Sequence, residues 1–345
     1  MPQAITHYLV AWEAMEKISR PLWEKYGNYA GFGSFGPDLF YVKDVFNRWF
    51  EPELSWDAVA DLQHWGGSLD LFCAMLDVVR EEYDVASAAG EKLLAFAMGY
   101  YSHVITDVVF HPYVYRCSLD HWHSHQPPEH RRLHKRVEEL IDLELLAFKG
   151  KGLPSPDIFR VRCDADGRGL LDGDLVMLLS ECLPRIYGDR APVLSGWPKR
   201  YGIDAPDHPV NAAYSDFAAI VGVLYGTQNS LFSPEEAEAC RLPGPWRTEG
   251  LSAGLTYSVR DLYGLAVNAV QRMMAVTCDF WQTDEQDAKD FFADSGTLYL
   301  EQDWNADTGL PAAWNEEPAN LAADVSRFDF GVELLATNYR RCQRG

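Results

Sequence analysis

Three ionisable side chains recur at a fixed spacing inside an apolar stretch of the chain. The segment YYSHVITDVVFHPY is mostly aromatic or β-branched, which predicts burial, yet it contains His103, Asp107 and His111 at intervals of four. On an α-helix with about 3.6 residues per turn, such positions share one stripe. A buried lone carboxylate is costly, and a divalent metal ion accepts both imidazole nitrogen and carboxylate oxygen. The alternative is a hydrogen-bonded His–Asp pair beside a histidine at the helix end.

The next predicted helix repeats this spacing. His134 and Glu138 lie four residues apart in the segment HKRVE. Taken alone, this pair is also typical of a solvated contact beside the basic run HRRLHKR. Two successive helices that each carry a histidine and a carboxylate four residues apart favour a shared metal site, because helical bundles build such sites from facing pairs. Since Asp107 has two oxygens, it is a candidate bridge between two ions.

Three further residues are candidates for the same site. His7 lies in the first predicted helix, within AITHYLVAWEAMEKI. His64 comes in the last turn before a Gly-Gly pair, where its alternative role is a charge partner for the helix C-terminus. Asp38 follows the glycine-rich turn of GSFGPDLFY, where its alternative role is an N-cap.

These fragments together resemble a known family. The segments ITH, GSFGPDLFY, GYYSHVITDVVFHPY and HKRVEELID, in this order, resemble the zinc-dependent phospholipase C family, which is related to the fungal-type single-strand zinc nucleases. The resemblance covers residues 3–142 by motif and extends towards residue 285 by helix content. It implies an all-α bundle in which three zinc ions hydrolyse phosphoric esters.

The resemblance also implies which residues hold each ion. The first zinc would be held by Asp38, His64, His103 and Asp107. The second would be held by His111, His134 and Glu138. The third would be held by His7 and a bridging Asp107, together with the terminal amine and carbonyl of the mature chain. Secreted relatives begin with tryptophan, whereas removal of Met1 here would leave Pro2 at the terminus. We therefore expect two or three zinc ions.

The segment between the two metal-binding stretches contains additional histidines. It looks longer than in the secreted enzymes and includes DHWHSHQPPEH, with His121, His123, His125 and His130. Two interpretations remain open, a solvent-exposed loop or a lid over the ions that adds substrate contacts.

Helical periodicity dominates the elements that must position these residues. We predict an all-α fold, a multi-helix bundle with an internal multinuclear metal site, followed by an irregular C-terminal extension. The domain boundaries are 1-285 for the helical domain and 286-345 for the extension. A turn-rich loop is predicted at 31–37, a helix start at Ser55, a helix end at Pro112, another helix start at SPEEAE and a short strand at TLYLEQ. Other helices are predicted near 69–83, 87–111, 171–188, 209–231 and 256–282.

Composition limits the range of partners. The 345 residues include 30 Lys and Arg against 51 Asp and Glu, a formal net charge of -21. Such a field repels nucleic acid and anionic membranes, so we expect no nucleic acid partner and no integral membrane association. No run approaches the roughly 18 apolar residues of a membrane helix, and no targeting segment is recognisable. Seven widely spaced cysteines without a CxxC pair are typical of reduced thiols, which predicts a cytoplasmic protein.

The expected activity is metal-assisted hydrolysis of a phosphoester, with Asp38 as candidate general base. The sequence shows no recognisable set of residues for binding a lipid headgroup, and the residue directly after Asp38 is the apolar Leu39. This favours a small soluble or singly presented phosphorylated metabolite as substrate. Three alternatives remain open. In the first, the protein acts as a phospholipase C or nuclease on lipid or oligonucleotide phosphodiesters. In the second, the ligands hold iron or manganese for non-hydrolytic biosynthetic chemistry. In the third, the chain is a non-catalytic helical partner protein with structural metals.

Overall fold

The computed structural model of the chain describes residues 4–43, 56–118, 127–150, 155–161, 169–194, 197, 202–226, 246–247, 256–283, 285, 287–306 and 309–312. Within these residues the fold is all-α, as predicted. The helices with described bounds are α1 (Ala4–Ile18), α2 (Arg20–Gly33), α3 (Leu39–Val42), α4 (Asp57–Trp65), α5 (Ser68–Glu82), α6 (Ala88–Ser118), α7 (Pro127–Lys149), α8 (Gly173–Tyr187), α9 (Pro209–Gly226), α10 (Val259–Gln282), α11 (Ala288–Ala293) and α12 (Leu298–Glu301).

Helix α6 is the centre of the bundle. It packs against α1, α2, α5, α7, α8 and α10. Its segment Ala88–Val114 is long and apolar enough to span a membrane by length and composition, which corrects the expectation that no such run exists. The whole of its most apolar window is buried inside the protein. A helix that is apolar all round and enclosed by other helices is typical of a protein core.

Glycines allow α2 and α6 to approach closely. A Cβ at Gly99 would overlap the carbonyl oxygen of Ala30, and a Cβ at Gly33 would overlap that of Phe96. Because neither glycine has a side chain, the two backbones lie in direct contact. This contact brings the end of α2 and the turn after it beside the middle of α6, where the ionisable stripe lies.

The structure corrects two boundaries in this region. Residues 31–37 were expected to form a turn-rich loop, but α2 continues to Gly33 and a 3-10 turn, Gly36–Asp38, follows it. Helix α6 was expected to end at Pro112, but it continues to Ser118. Proline cannot donate to the carbonyl four residues earlier, so the helix passes Pro112 without that hydrogen bond, and packing on all sides outweighs the local preference.

Other predicted helices agree with the structure to within a few residues. Helix α4 begins at Asp57, with Trp56 at the N-cap position, and Ser55 lies outside the described residues. It ends before the Gly66-Gly67 pair, as expected. Helix α10 begins with a capping box, in which Ser258 and Asp261 satisfy each other's backbone N–H groups. The helix start predicted at 233–238, and the part of the 209–231 prediction beyond Gly226, lie outside the described residues.

The strands of the described residues span two residues each. Antiparallel pairs join β1 (Trp246–Arg247) to β2 (Thr256–Tyr257) and β3 (Trp304–Asn305) to β4 (Leu310–Pro311). The strand predicted at TLYLEQ is wrong, because Leu298–Glu301 forms a single helical turn, α12. The described part of the C-terminal extension packs on the bundle: the hydroxyl of Tyr101 donates to the carbonyl of Tyr299 at 2.6 Å. The domain boundary at 285 stays a prediction.

The close contact between α2 and α6 can be tested with two glycine variants. Gly99→Ala should lower the free energy of unfolding by about 1–3 kcal/mol, because the added methyl group must displace the α2 backbone. Gly264→Ala in α10 is the control, since nothing lies within 4 Å of an added Cβ there. Gly264→Ala should raise the free energy of unfolding by about 0.5–1 kcal/mol, because alanine has a higher helix propensity than glycine. Urea unfolding measures both, and equal changes would contradict the packing described here.

Candidate metal centre

All eight residues predicted to bind metal lie in three groups. Within each group, one ligand atom from each residue lies within 4.8 Å of the others. The Asp38 group is Asp38, His64 and His103. The His7 group is His7, His103 and Asp107. The His111 group is His111, His134 and Glu138. That these residues bind metal stays a prediction, because the geometry shows convergence alone.

The Asp38 group joins three different elements. Asp38 ends the 3-10 turn after α2, His64 lies in the last turn of α4, and His103 lies in the middle of α6. The Nε2 atom of His64 is 3.3 Å from Asp38 Oδ1 and 3.3 Å from the Nε2 atom of His103. Sequence-distant segments therefore bring two imidazoles and one carboxylate to a common point.

The outer nitrogens of these two imidazoles determine what their inner nitrogens can do. Nδ1 of His64 contacts the carbonyl of Ala60 at 2.8 Å, and Nδ1 of His103 contacts the carbonyl of Ser34 at 2.9 Å. Since a carbonyl only accepts, each Nδ1 carries a proton and donates it. Nε2 is then the nitrogen of each ring that is left for a metal ion. Orienting a histidine through its outer nitrogen is the usual role of such hydrogen bonds at metal sites.

Asp107 links the groups. Its Oδ2 is 3.1 Å from Nε2 of His103, and its Oδ1 is 3.1 Å from Nε2 of His7. The Oδ1 atom is also 4.0 Å from Nε2 of His111 in the neighbouring group. The carboxylate thus presents its two oxygens to different imidazoles, which is the arrangement that a bridge between two ions requires.

His7 has a nitrogen without a hydrogen-bond partner in the described part of the chain. Its ring stacks on that of His103, with centroids 3.8 Å apart. Its Nδ1 is buried and has no hydrogen-bond partner among the described residues. Burial lowers the pKa of His7, and repulsion by His103 lowers it further, against a smaller opposing effect of Asp107. His7 is therefore neutral near pH 7, the form in which an imidazole binds metal.

The His111 group lies one helical turn further along α6. Nε2 of His134 is 2.9 Å from Glu138 Oε1, and Nε2 of His111 is 3.4 Å from the same oxygen. Nδ1 of His111 makes a short hydrogen bond to the carbonyl of Ala306, which lies just after β3. As for His64 and His103, this bond leaves the Nε2 lone pair directed into the group.

The carboxylates of the site are anionic at neutral pH. Burial alone would raise their pKa values, but the adjacent histidines outweigh it. The result is a pKa of about 2 for Asp38 and of about 2 for Glu138. For Asp107 the pKa lies well below its ordinary value, with His111, His103 and His7 all contributing.

The least buried ligand side chains are those of Asp38 and His134. Each is 19% exposed, compared with 4% for Asp107. The histidines at 121, 123 and 125 lie outside the described residues, as does the side chain of His130, so both interpretations of that segment stay predictions.

Sequence reasoning missed the groups that hold the ligands in place. The carbonyls of Ser34, Ala60 and Ala306 accept hydrogen bonds from three of the histidines. Every residue has a carbonyl, so no residue type marks these positions. The Ala60 contact, at four residues before His64 on a helix, is the one whose spacing offers a signal.

Comparison with known proteins gives one match. A family model described as zinc-dependent phospholipase C matches residues 4–181, just over half of the chain, and this range contains all eight site residues. No curated protein and no solved structure matches the chain.

Replacing Asp107 with Asn should remove bound metal. The amide cannot supply two anionic oxygens, and loss of a hydrogen bond to a ligand alone costs about 10- to 100-fold in metal affinity, so we expect a decrease of about 100-fold or more. Asp172→Asn is the control, because that carboxylate pairs with Lys92 at 2.8 Å and belongs to none of the three groups. Elemental analysis of the purified variants measures the outcome. Full metal content in Asp107→Asn would rule out the site.

Proposed function

The chain belongs to the zinc-dependent phospholipase C family, and from this we propose that it is a multinuclear zinc-dependent hydrolase that cleaves a phosphoester bond. The observation that carries the proposal is the convergence of Nε2 of His64 and Nε2 of His103, 3.3 Å apart, with Oδ1 of Asp38 3.3 Å from the first of them. Imidazole nitrogens and a carboxylate oxygen gathered at one buried point form a ligand set for a divalent ion.

The donor atoms of the three groups suit zinc. They are imidazole nitrogens and carboxylate oxygens, with three residues in each group. Catalytic zinc sites have three protein ligands and an open position, whereas structural sites are closed by four. Zinc held by these residues would act as a Lewis acid on the phosphoryl group and lower the pKa of a water molecule. The Asp38 and His111 groups would each hold one ion. His7 and a bridging Asp107 would hold a third, because Nε2 of His103, which the Asp38 and His7 groups share, can bind only one ion.

Asp38 is the proposed proton acceptor. It is an anion at neutral pH, and its side chain is among the most exposed in the site. Its carboxylate is therefore more accessible to a water molecule than that of Asp107, which is 4% exposed. Asp107 and Glu138 instead lie buried among imidazoles. This position suits them to bind metal ions at fixed positions.

We propose a small soluble phosphoester, or one presented singly, as the substrate. The formal charge of -21 opposes binding of long nucleic acids and anionic membrane surfaces. Among the described residues, one helix is apolar and long enough for a bilayer, and its most apolar window is buried inside the bundle. A cytoplasmic location agrees with the buried free thiols of Cys73 and Cys182.

The same ligands also accept iron or manganese. Elemental analysis of protein purified without added metal distinguishes these ions from zinc. If iron or manganese predominates and phosphoesters are not hydrolysed, the proposed reaction is wrong while the metal centre stands. If metal is bound tightly and no reaction is found, the non-catalytic alternative with structural metals applies.

Hydrolysis of bis(p-nitrophenyl) phosphate tests the reaction. We expect hydrolysis by the zinc-loaded protein, loss of hydrolysis after chelation and recovery when zinc is restored. Asp38→Asn should lower kcat/KM by about 100- to 10,000-fold, the range for a positioned proton acceptor. Asp61→Asn is the matched control, because Asp61 accepts a hydrogen bond from Tyr41 at 2.7 Å and lies outside the three groups.

Two further substrates separate the possible sources of the phosphoester. Phosphatidylcholine vesicles and a single-stranded oligonucleotide should be cleaved more slowly than a small phosphodiester. Faster cleavage of either would replace the proposed substrate class with lipid or nucleic acid. Hydrolysis that survives complete chelation would contradict the mechanism.

A further inference from the structure

One backbone residue of the C-terminal extension contacts two of the ligand groups. The N–H of Ala306 donates to the carbonyl of His64 at 2.7 Å, and the carbonyl of Ala306 accepts from Nδ1 of His111. His64 belongs to the Asp38 group, and His111 belongs to the His111 group. A single residue, more than a hundred positions beyond the family match, therefore ties the two groups together.

A carboxylate in the same segment holds the turn that follows His64. Oδ1 of Asp303 accepts from the N–H of Leu69 at 3.1 Å, and its Oδ2 accepts from the N–H of Gly67. These N–H groups lie at the N-terminus of α5, where no earlier helical turn can use them. Asp303 thus fixes the α4–α5 turn relative to β3, and with it the end of the helix that carries His64.

The far side of the segment fits against α6 beside His111. Gly309 has φ +71, and a Cβ there would lie 2.6 Å from the carbonyl oxygen of Val108 and 2.6 Å from Cγ of Pro112. Val108 is the residue whose carbonyl Pro112 cannot satisfy within the helix. The proline that was expected to end α6 instead provides a surface on which the C-terminal segment lies directly.

We propose that the C-terminal hairpin, residues 303–312, of which 303–306 and 309–312 are described, is a positioning element of the metal centre. It directs the Nε2 lone pair of His111 into its group through the Ala306 carbonyl, and it holds His64 at a fixed distance from α6. The ion of the His111 group depends on it more, because His64 also donates to Ala60 within its own helix. This inference rests on the metal centre of the proposed function and not on the reaction assigned to it.

A matched pair of glycine variants tests the inference. Gly309→Ala places a methyl group against Pro112 and should push the hairpin away from His111. Gly296→Ala is the control: Gly296 has φ +66, lies in the same extension and has nothing within 4 Å of an added Cβ. Both variants carry the strain of a side chain at positive φ, but Gly309→Ala alone displaces the hairpin.

The readout is zinc bound by the full chain in competition with a chromogenic chelator. Gly309→Ala should weaken binding to the His111 group by about 10- to 100-fold, the usual effect of losing a hydrogen bond to a metal ligand. Gly296→Ala should bind zinc as the wild type does. His134→Ala, which removes a ligand of that group, identifies which phase of the titration reports it. Equal zinc affinities in the two glycine variants would overturn the inference.

A second variant covers the case in which Gly309→Ala does not fold. Asp303→Asn keeps the shape of the side chain but turns an NH2 group towards one of the two backbone N–H donors. It should weaken zinc binding to the Asp38 and His111 groups, both of which Ala306 contacts, and unchanged affinity would contradict the positioning role. Should the wild type itself bind no zinc, the metal centre fails, and that outcome is distinct from equal binding by all variants.

Discussion

The buried carboxylate of Asp107 is the constraint on which the rest of this structure depends. It lies in the core helix with both oxygens facing imidazoles, at 3.1 Å from His7 and at 3.1 Å from His103. An isolated carboxylate in such a place would be costly, and the histidines around it are themselves arranged with lone pairs directed inwards. Positive charge at this point satisfies every one of these groups. Helices α1 and α4 bring His7 and His64 to within 4 Å of it, as that requirement predicts.

The scaffold provides the required distances through close backbone contacts. Glycines at 33 and 99 let α2 lie against α6, so the Ser34 carbonyl reaches the imidazole of His103. At the other end of the stripe, Gly309 lies against Pro112 while Ala306 reaches His111. Small residues thus set the approach of the backbone, and backbone carbonyls then orient the ligands. The distances between the ligand atoms therefore depend on glycines and backbone carbonyls as well as on the ligands themselves.

The parts that sequence predicts are those with a local period. Spacing by four placed His103, Asp107 and His111 on one stripe, and His134 with Glu138 on another, because one helical turn determines both. The contact of Asp38 with His64 depends on how separate elements pack. Only the family resemblance predicts that these two residues share an ion. The carbonyl of Ala306, which follows His111 by 195 residues, has no local signal at all. The continuation of α6 past Pro112 likewise came from tertiary packing overriding a local rule.

Diffraction at the zinc absorption edge, from crystals of protein loaded with zinc, tests the central claim most directly. We predict one anomalous peak between Nε2 of His64 and Nε2 of His103, and another among His111, His134 and Glu138, with Asp107 beside the first. A third peak at His7 would complete the set. Crystals that take up zinc without a peak at either of the first two positions, or with His64 and His103 turned away from each other, would contradict the account.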